Sequence, residues 1–360
     1  MAARRAATQG HPYDEPACYD RPVISSETKT EVAACVGGGA TRVESRPLRS
    51  PGTGEVLLRL RVSGLCGTDL YKLATGSFTP GAVLGHEIVG MVEAIGAGVT
   101  GFDSGDRVVV PHHVACGSCV LCRRGSETLC PGFRENLLDP GGFSERLIVK
   151  ERGVRFAMRR IPEVIPDEAA VFLEPAACVL RGARRAGLPF SDPYPSSVAI
   201  LGGGSMGLLH LLVLKAMAPG IRVRVIDPID ERRRLALKLG SEDISEMSGF
   251  DVVFDTVGGA ASLETAIGLT REGGTVVLFA HASRDEQASF VINDVFKHER
   301  RILPTYSGTL ADQQTIFDLI VEAKLDASPL VTHRLPLARF EEGVALCRNR
   351  EALKVLFTFA

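Results

Sequence analysis

The chain has 360 residues, which suits two domains better than one hydrophobic core, and 45% hydrophobic with 23% charged residues is ordinary for a globular protein. A formal net charge of -2 and the absence of Trp argue against binding to nucleic acid or to an anionic membrane surface. No segment approaches the roughly 20 apolar residues of a membrane helix, so we expect no nucleic-acid and no membrane partner.

The beginning of the chain, residues 1–30, is polar and contains no apolar run that could act as a secretory signal. We predict a disordered leader there, with a functional arm as the alternative. Without a signal, and with an odd number of cysteines, the chain is a poor candidate for a disulfide framework. We therefore expect a cytoplasmic protein with reduced thiols.

The next part of the chain is rich in strand patterns and punctuated by Gly. Alternating or continuous apolar residues predict strands at Val32–Cys35, Glu55–Val62, Val89–Ile95, Arg107–Val110 and Phe143–Val149. No helical periodicity interrupts this region before about residue 167. It predicts a compact β domain whose loops carry the chemistry.

Four cysteines crowd together within this β-rich region. Cys116, Cys119, Cys122 and Cys130 have the spacing C-x2-C-x2-C-x7-C. Four thiolates can close a tetrahedral shell around one zinc and leave no position for a substrate, which predicts a structural site. An iron–sulfur cluster is the alternative, because it also takes four cysteines.

From about residue 196 strands alternate with helices, which predicts a parallel, doubly wound sheet. The predicted strands are Ser197–Leu201, Arg222–Ile226, Val252–Asp255 and Thr275–Phe279. The predicted helices are Met206–Met217, Asp230–Leu239, with Gly240 at its end, and Ala261–Leu269.

A dinucleotide fingerprint lies at the first strand-to-helix turn of this region. Gly202, Gly204 and Gly207 form G-x-G-x-x-G, which lets a pyrophosphate approach the backbone at a helix N-terminus. Asp227 ends the next strand, where a carboxylate accepts hydrogen bonds from ribose hydroxyls and repels a 2′-phosphate, so the sequence favours NAD over NADP. Two observations leave alternatives open: Arg232 is close enough to help hold a phosphate, and Asp227 could simply cap the turn at Pro228.

Residues distant in the sequence form a candidate catalytic metal site. Cys66, His86, Glu87 and Glu174 supply a thiolate, an imidazole and two carboxylates. Such a set can hold zinc and leave one position for water or a substrate oxygen. A lone buried cysteine and a surface Glu before Pro are the structural alternatives.

Residues Gly85–Val99 read GHEIVGMVEAIGAGV, and Gly105–Val108 read GDRV. This stretch resembles the signature of the zinc-containing alcohol dehydrogenase family of medium-chain dehydrogenases/reductases. The four-Cys segment, the Glu174-Pro175 element and the Gly-rich fingerprint follow in the order of that family. The resemblance extends over residues 30–360 and is closest to the polyol and threonine dehydrogenase branch.

The resemblance implies roles for individual residues. Cys66 and His86 match the catalytic zinc ligands, while Glu87 and Glu174 match carboxylates that share the remaining coordination. Thr68 matches the hydroxyl that takes the alcohol proton, and Asp69 matches a carboxylate that orients His86.

Other positions are less clear. Relatives often carry a His five residues after the zinc Cys, but this chain has Tyr71, so Tyr71, the cofactor ribose or water completes the proton route. His281 follows a strand end where the nicotinamide is expected. His112 and His113 are interpreted as a packed structural pair, with substrate contact as the alternative.

Together these observations predict an α/β protein with a GroES-like catalytic domain over residues 31–185 and 331–360 and a Rossmann domain over 186–330. We predict two zinc ions per chain, NAD as cofactor and a polar secondary alcohol as substrate, such as a polyol, sugar, cyclitol or hydroxy amino acid. An NADP-dependent aldehyde or ketone reductase and a non-catalytic zinc-binding relative are the alternatives. The resemblance implies a homodimer or homotetramer.

Overall fold

A computed structural model describes residues 28–190, 196–243 and 248–359. Most of the predicted leader, residues 1–27, therefore lies outside the described residues. Within the part of the chain that the structure describes, no helix is long and apolar enough to cross a membrane.

The β-rich region forms an antiparallel hairpin and a larger sheet. The hairpin joins β1 (Lys29–Gly37) to β2 (Ala40–Pro47). The larger sheet takes its strands from both ends of the described chain: β3 (Val56–Gly64), β4 (Glu87–Ile95), β5 (Arg107–Val109), β6 (Leu138–Asp139), β7 (Arg146–Val149), β8 (Arg159–Arg160), β14 (Val331–Pro336) and β15 (Lys354–Thr358).

The far end of the chain joins this sheet through β15, which pairs antiparallel with β3, while β14 pairs parallel with β15. β3 in turn pairs with β4, and this register aligns Gly64 with Glu87. A Cβ at position 64 would overlap Oε2 of Glu87, so only glycine fits opposite that carboxylate. β3 is therefore the strand around which residues from both ends of the chain meet.

The second region is a five-stranded parallel sheet in the order β10-β9-β11-β12-β13. Its strands are β9 (Ser197–Leu201), β10 (Arg222–Ile226), β11 (Phe250–Asp255), β12 (Thr270–Leu278) and β13 (Arg301–Pro304). The chain reverses its direction of winding between β9 and β11. In doubly wound sheets, ligands bind at the carboxyl ends of the strands at such a switch point.

Eleven helices occur among the described residues: α1 (Gly67–Thr75), α2 (Val120–Arg123), α3 (Glu151–Phe156), α4 (Asp167–Ala170), α5 (Leu173–Arg185), α6 (Ser205–Met217), α7 (Asp230–Lys238), α8 (Ala260–Leu269), α9 (Ile292–Phe296), α10 (Leu310–Val321) and α11 (Phe340–Arg348). α5 connects the two regions. It packs against α6 and α10, and its Gly182 faces Phe254 of the parallel sheet.

The predicted fold class, a GroES-like domain followed by a Rossmann sheet, is confirmed by this architecture. The expectation of no helix before about residue 167 is wrong, because α1, α2 and α3 lie within the β-rich region. α1 has only nine residues and its N-terminus lies in a loop, so its apolar periodicity is too short to be recognised.

Candidate active site

The four-cysteine segment forms one compact cluster. The Sγ atoms of Cys116, Cys119, Cys122 and Cys130 all lie within 4.8 Å of one another. Backbone N–H groups of Ser118 and Cys119 lower the pKa of Cys116 to about 6, which favours the thiolate. A short helix, α2, begins directly after Cys119 and turns Cys122 back towards the cluster. Four convergent thiols of this kind could hold a tetrahedral zinc ion.

A second cluster brings together Cys66, His86 and Glu87, whose ligand atoms also lie within 4.8 Å of one another. Cys66 is the N-cap residue of α1, and Glu87 is the first residue of β4. The pairing of β3 with β4 brings these two ends together. The cluster forms because of the register between β3 and β4. This register makes Cys66 and His86 neighbours in space although 20 positions separate them in the sequence.

Asp69 lies behind His86. Its Oδ1 is 3.5 Å from Nδ1 of His86, and its Oδ2 accepts a hydrogen bond from the backbone N–H of Cys66 at 3.1 Å. Burial opposes protonation of His86, but the charges of Asp69 and Cys66 outweigh it and raise the pKa of His86 well above its usual range. With Nδ1 facing Asp69, the Nε2 atom is left on the side of the Cys66 thiol, where it could bind a metal ion.

Glu87 has a partner that no pattern in the sequence indicates. Nζ of Lys354 donates hydrogen bonds to Oε2 of Glu87 and to the backbone carbonyl of Leu65. Burial opposes the charge of Lys354, but Glu87 outweighs it and raises the pKa of Lys354. Oε1 of Glu87 is buried and has no hydrogen-bond partner among the described residues, so it is available as a metal ligand.

Glu174 approaches from the first turn of α5 and is not part of the three-residue cluster. Its Oε1 accepts a hydrogen bond from Sγ of Cys178, one turn along the helix, at 3.5 Å. Burial, the largest effect, raises the pKa of Glu174, and the nearby charge of Glu87 adds to the rise. The structure therefore brings both carboxylates towards one site, with Glu87 nearer to Cys66 and His86.

The residues proposed for proton transfer lie on α1. Thr68 is half-buried in its first turn, and Tyr71 follows one turn later on the same side. The ring of Tyr71 stacks on His281, with centroids 4.4 Å apart and planes 10° from parallel. His281 follows β12 at the carboxyl edge of the parallel sheet, so this contact spans the cleft between the two regions.

His112 and His113 extend a row of ring contacts that begins at His86. The rings of His86 and His112 are 4.6 Å apart, and those of His112 and His113 are 3.6 Å apart. His113 then contacts Phe133 at 4.9 Å. Nδ1 of His112 is buried without a partner among the described residues.

The Gly-rich turn lies between β9 and α6. Gly202 has a φ of +95°, and a Cβ at Gly207 would overlap the carbonyl oxygen of Gly202. Asp227 is almost fully buried: Oδ2 accepts from the backbone N–H of Gly203 at 2.7 Å, and Oδ1 accepts from that of Ile229 at 2.8 Å. Asp227 therefore holds the turn itself, as the alternative reading of a cap at Pro228 expected, and its role towards a ribose stays a prediction.

Arg232 is positioned close to Asp227. Its Nη1 atom lies 3.7 Å from Oδ2 of Asp227. Arg232, which could help hold a phosphate, therefore already lies beside the carboxylate of Asp227. Gly204, the N-cap residue of α6, opens the helix whose first N–H groups face this turn.

Comparison with known proteins agrees with this geometry. The family model described as the alcohol dehydrogenase GroES-like domain matches residues 52–158, and the zinc-binding dehydrogenase model matches residues 206–322. A D-altritol 5-dehydrogenase of Agrobacterium fabrum is 33% identical over 79% of this chain and 86% of its own length. The chain belongs to the zinc-containing alcohol dehydrogenase family. The predicted enzyme class, a zinc-dependent alcohol or polyol dehydrogenase, is thereby confirmed.

Further relatives of this zinc-containing dehydrogenase come from both sequence and structure. An L-threonine 3-dehydrogenase of Pyrococcus horikoshii is 31% identical over 89% of this chain and 95% of its own length. A zinc-binding dehydrogenase of Sinorhizobium meliloti 1021, solved bound to NADP, has a TM-score of 0.81 and 26% identity over 92% of this chain and all of that one. Relatives by sequence thus include a polyol dehydrogenase and a threonine dehydrogenase, in agreement with the branch predicted from the sequence.

Proposed function

We propose that this dehydrogenase transfers a hydride between a polar secondary alcohol and NAD. The observation that carries the proposal is the convergence of Cys66, His86 and Glu87 within 4.8 Å, with Glu174 approaching from α5. A thiolate, an imidazole and a carboxylate oxygen fit a zinc ion with one open position. The unpartnered Oε1 of Glu87 is the buried atom that such an ion would satisfy.

The second zinc in this proposal is structural and is held by Cys116, Cys119, Cys122 and Cys130. Their four sulfur atoms leave no position for a substrate. The location in this proposal is cytoplasmic, because zinc thiolates require the reduced cysteines that the sequence predicts.

In the catalytic centre, bound zinc would act as a Lewis acid that lowers the proton affinity of the substrate oxygen. Thr68 receives the alcohol proton, and Tyr71, one helical turn further, passes it towards solvent. Asp69 keeps Nδ1 of His86 turned away from the metal position. His281 and the carboxyl edge of β12 form the side of the cleft that would hold the nicotinamide ring, the group that supplies the hydride chemistry when the cofactor is bound.

The cofactor in this proposal is NAD. Gly202, Gly204 and Gly207 leave room for the pyrophosphate, and Asp227 presents a carboxylate to the ribose hydroxyls. Arg232, 3.7 Å from Asp227, favours the alternative of NADP, and the relative from Sinorhizobium meliloti was solved with NADP. The polar character of the substrate is supported by the names of relatives that act on D-altritol and L-threonine.

We further propose that a second copy of the chain covers an exposed apolar surface beside β13. β13 is the outer strand of the parallel sheet among the described residues. Val291, Ile292 and Phe296 nearby are 62%, 75% and 74% exposed. Light scattering should give at least twice the mass of one chain for the wild-type protein. The double variant Ile292→Lys with Phe296→Lys should give the mass of a single chain. A monomeric wild-type protein would contradict the proposed dimer.

The proposed function is tested by metal analysis together with turnover. We expect roughly two zinc ions per purified chain and NADH formation, followed by absorbance, with at least one alcohol from a panel of polyols, cyclitols and hydroxy amino acids. One zinc with no turnover would indicate a non-catalytic relative, and iron in the four-cysteine cluster would overturn the zinc assignment there.

A further inference from the structure

A buried arginine lies on the face of α5 that carries Glu174. Glu174, Cys178 and Arg181 are spaced by four and then three residues, so they form one stripe along the helix. Cys178 donates to Glu174 within this stripe. Arg181 is only 7% exposed. The same helix face thus presents a metal-site carboxylate at one end and a buried guanidinium at the other.

Arg181 is poorly satisfied for a buried cation. Its one described side-chain hydrogen bond runs from Nη2 to Oγ1 of Thr128 at 3.3 Å, and its Nε is buried without a partner among the described residues. It forms no ion pair in the part of the chain that the structure describes. Asp312, an acidic neighbour, is held instead by Arg184 at 2.7 Å.

A buried guanidinium with so few partners is energetically unfavourable. Burial, the largest effect, lowers the pKa of Arg181, whereas the more distant charges of Asp312 and Glu127 raise it. A buried charge is ordinarily paired and hydrogen-bonded, because desolvation is costly. A guanidinium with unused N–H groups matches the geometry of a carboxylate or a phosphate.

The position of Arg181 relative to the catalytic cluster sets the length of a ligand that could reach both. Seven residues of helix separate it from Glu174, a rise of about 10 Å. Thr128, its hydrogen-bond partner, belongs to the four-cysteine segment, so the guanidinium lies between that segment and α5. The long side chain of an arginine and a substrate of about four to six carbons can span this distance.

A second cation lies near the cleft on α1. Lys72 is half-buried and forms no ion pair in the described ranges. Burial lowers the pKa of His281, and the charge of Lys72 lowers it further. Burial also lowers the pKa of His113 to about 3, and the charge of Lys72 contributes to that shift. α1 and α5 thus each carry a cation without an ion pair among the described residues, beside the carboxylates of Asp69 and Glu174.

We propose that Arg181 binds a carboxylate or phosphate group of the substrate, so that the enzyme acts on an anionic polyhydroxy or hydroxy-acid chain in preference to a neutral polyol. This inference rests on the proposed function, because it assumes that the alcohol end of the chain lies at the Cys66 cluster. Arg181 then determines specificity, while Thr68 and the metal ligands carry out the reaction.

The test compares matched substrates that differ in one terminal group. D-Glucitol, D-gluconate and D-glucitol 6-phosphate form one set, and erythritol with D-erythronate forms a second. For each, kcat/KM is measured, and binding to the zinc-loaded enzyme is measured by calorimetry. We expect an anionic member of at least one set to bind more tightly than its neutral partner, and Arg181→Gln to weaken that member about 30-fold or more while changing the neutral one less than about threefold. Gluconate against the phosphate distinguishes the two anion types.

Arg184→Gln is the matched control, because Arg184 lies on the same helix but is paired with Asp312. It should leave the anion preference intact. Equal loss for charged and neutral substrates in Arg181→Gln would overturn the proposal and indicate that Arg181 only attaches the four-cysteine segment to α5. A wild-type enzyme without preference for any anion would overturn it as well.

If Arg181→Gln does not fold, Arg181→Lys decides: retained anion preference with reduced affinity supports the proposal, and unchanged affinity contradicts it. Oxidation of neutral alcohols without anion preference would reject this inference and leave the proposed function standing. Absence of both zinc and turnover would reject the proposed function itself.

Discussion

Nζ of Lys354 donates a hydrogen bond to Oε2 of Glu87, and the two residues are 267 positions apart in the sequence. Their side chains are 3% and 0% exposed. Lys354 lies on β15 and Glu87 on β4, on opposite sides of β3. One buried ion pair thus links the far end of the chain to the candidate metal site.

Replacing Lys354 by Met should leave Glu87 as an uncompensated buried charge. Breaking one side of such a pair costs about 3–5 kcal/mol, so the free energy of unfolding should fall by that amount. Urea denaturation after removal of zinc with a chelator measures it, because a bound zinc ion would itself compensate the charge of Glu87. The double variant Lys354→Met with Glu87→Gln should regain part of the loss; purely additive effects would show that the pair is not coupled.

Replacing Cys130 by Ser should remove the structural zinc. Cys130 is fully buried and the cluster then lacks its fourth sulfur. Plasma emission analysis should show roughly one zinc per chain in place of two, with a lower melting temperature. Cys35→Ala, which removes a buried thiol outside both clusters, should keep both ions. Two zinc ions in Cys130→Ser would refute the four-sulfur site.

Thr68→Val should lower kcat about 100-fold, because it removes the hydroxyl that receives the alcohol proton, and Thr68→Ser should restore most of it. Tyr71→Phe keeps a ring that can stack on His281 but lacks the hydroxyl. We expect a lower kcat and an altered pH profile of kcat. A profile identical to that of the wild type would remove Tyr71 from the proton route and favour the cofactor ribose or water.

Asp227→Asn tests the cofactor proposal. The amide oxygen of Asn can still accept one of the two backbone hydrogen bonds, from Gly203 or Ile229, while the charge is lost. The wild type should favour NAD, and the ratio of kcat/KM for NAD over NADP should fall about 10-fold or more in the variant. If the wild type already prefers NADP, the assignment of NAD is incorrect, and Arg232→Gln should then reduce NADP turnover selectively.

Because His210 is buried, we expect the free energy of unfolding to fall in acid. It is fully buried on α6 between Phe254 and Phe279, and burial lowers its pKa from 6.5 to about 4. Between these values the unfolded chain binds a proton that the folded chain does not, so stability is complete above pH 6.5 and falls as the pH drops towards 4, by about 3 kcal/mol.

The measurement is the free energy of unfolding at neutral pH and at pH near 4.5, in wild type and His210→Leu. The variant should lose less stability over this interval than the wild type. Equal losses in the two proteins would assign the acid sensitivity to other groups, including the zinc ligands.

The sequence was most informative where structure depends on neighbouring residues. The strand Arg222–Ile226 agrees with the prediction at both ends, and the helix after the Gly-rich turn differs by one residue. Short-range periodicity and a fixed spacing of glycines carry that information. The four cysteines were found for the same reason, since their cluster spans only residues 116–130.

The remaining features arise from contacts between distant segments. Nothing near Lys354 in the sequence indicates that it pairs with Glu87, because the pairing follows from the order β15-β3-β4. The stacking of Tyr71 on His281 likewise depends on how the two regions meet. Arg181 is indistinguishable by sequence from its neighbours Arg184 and Arg185, and only burial separates it from them. The domain boundaries and site roles therefore stay predictions.

The two residues of the ion pair between Glu87 and Lys354 are synthesised at different times. Synthesis from the N-terminus at about 5–20 residues per second separates the appearance of these two residues by roughly 15 to 50 s. During that interval the carboxylate of Glu87 has no counter-charge, and β3 lacks its neighbour β15. The ion pair beside the candidate metal site can therefore form only after β15 is made, although Cys66, His86 and Glu174 are all synthesised long before.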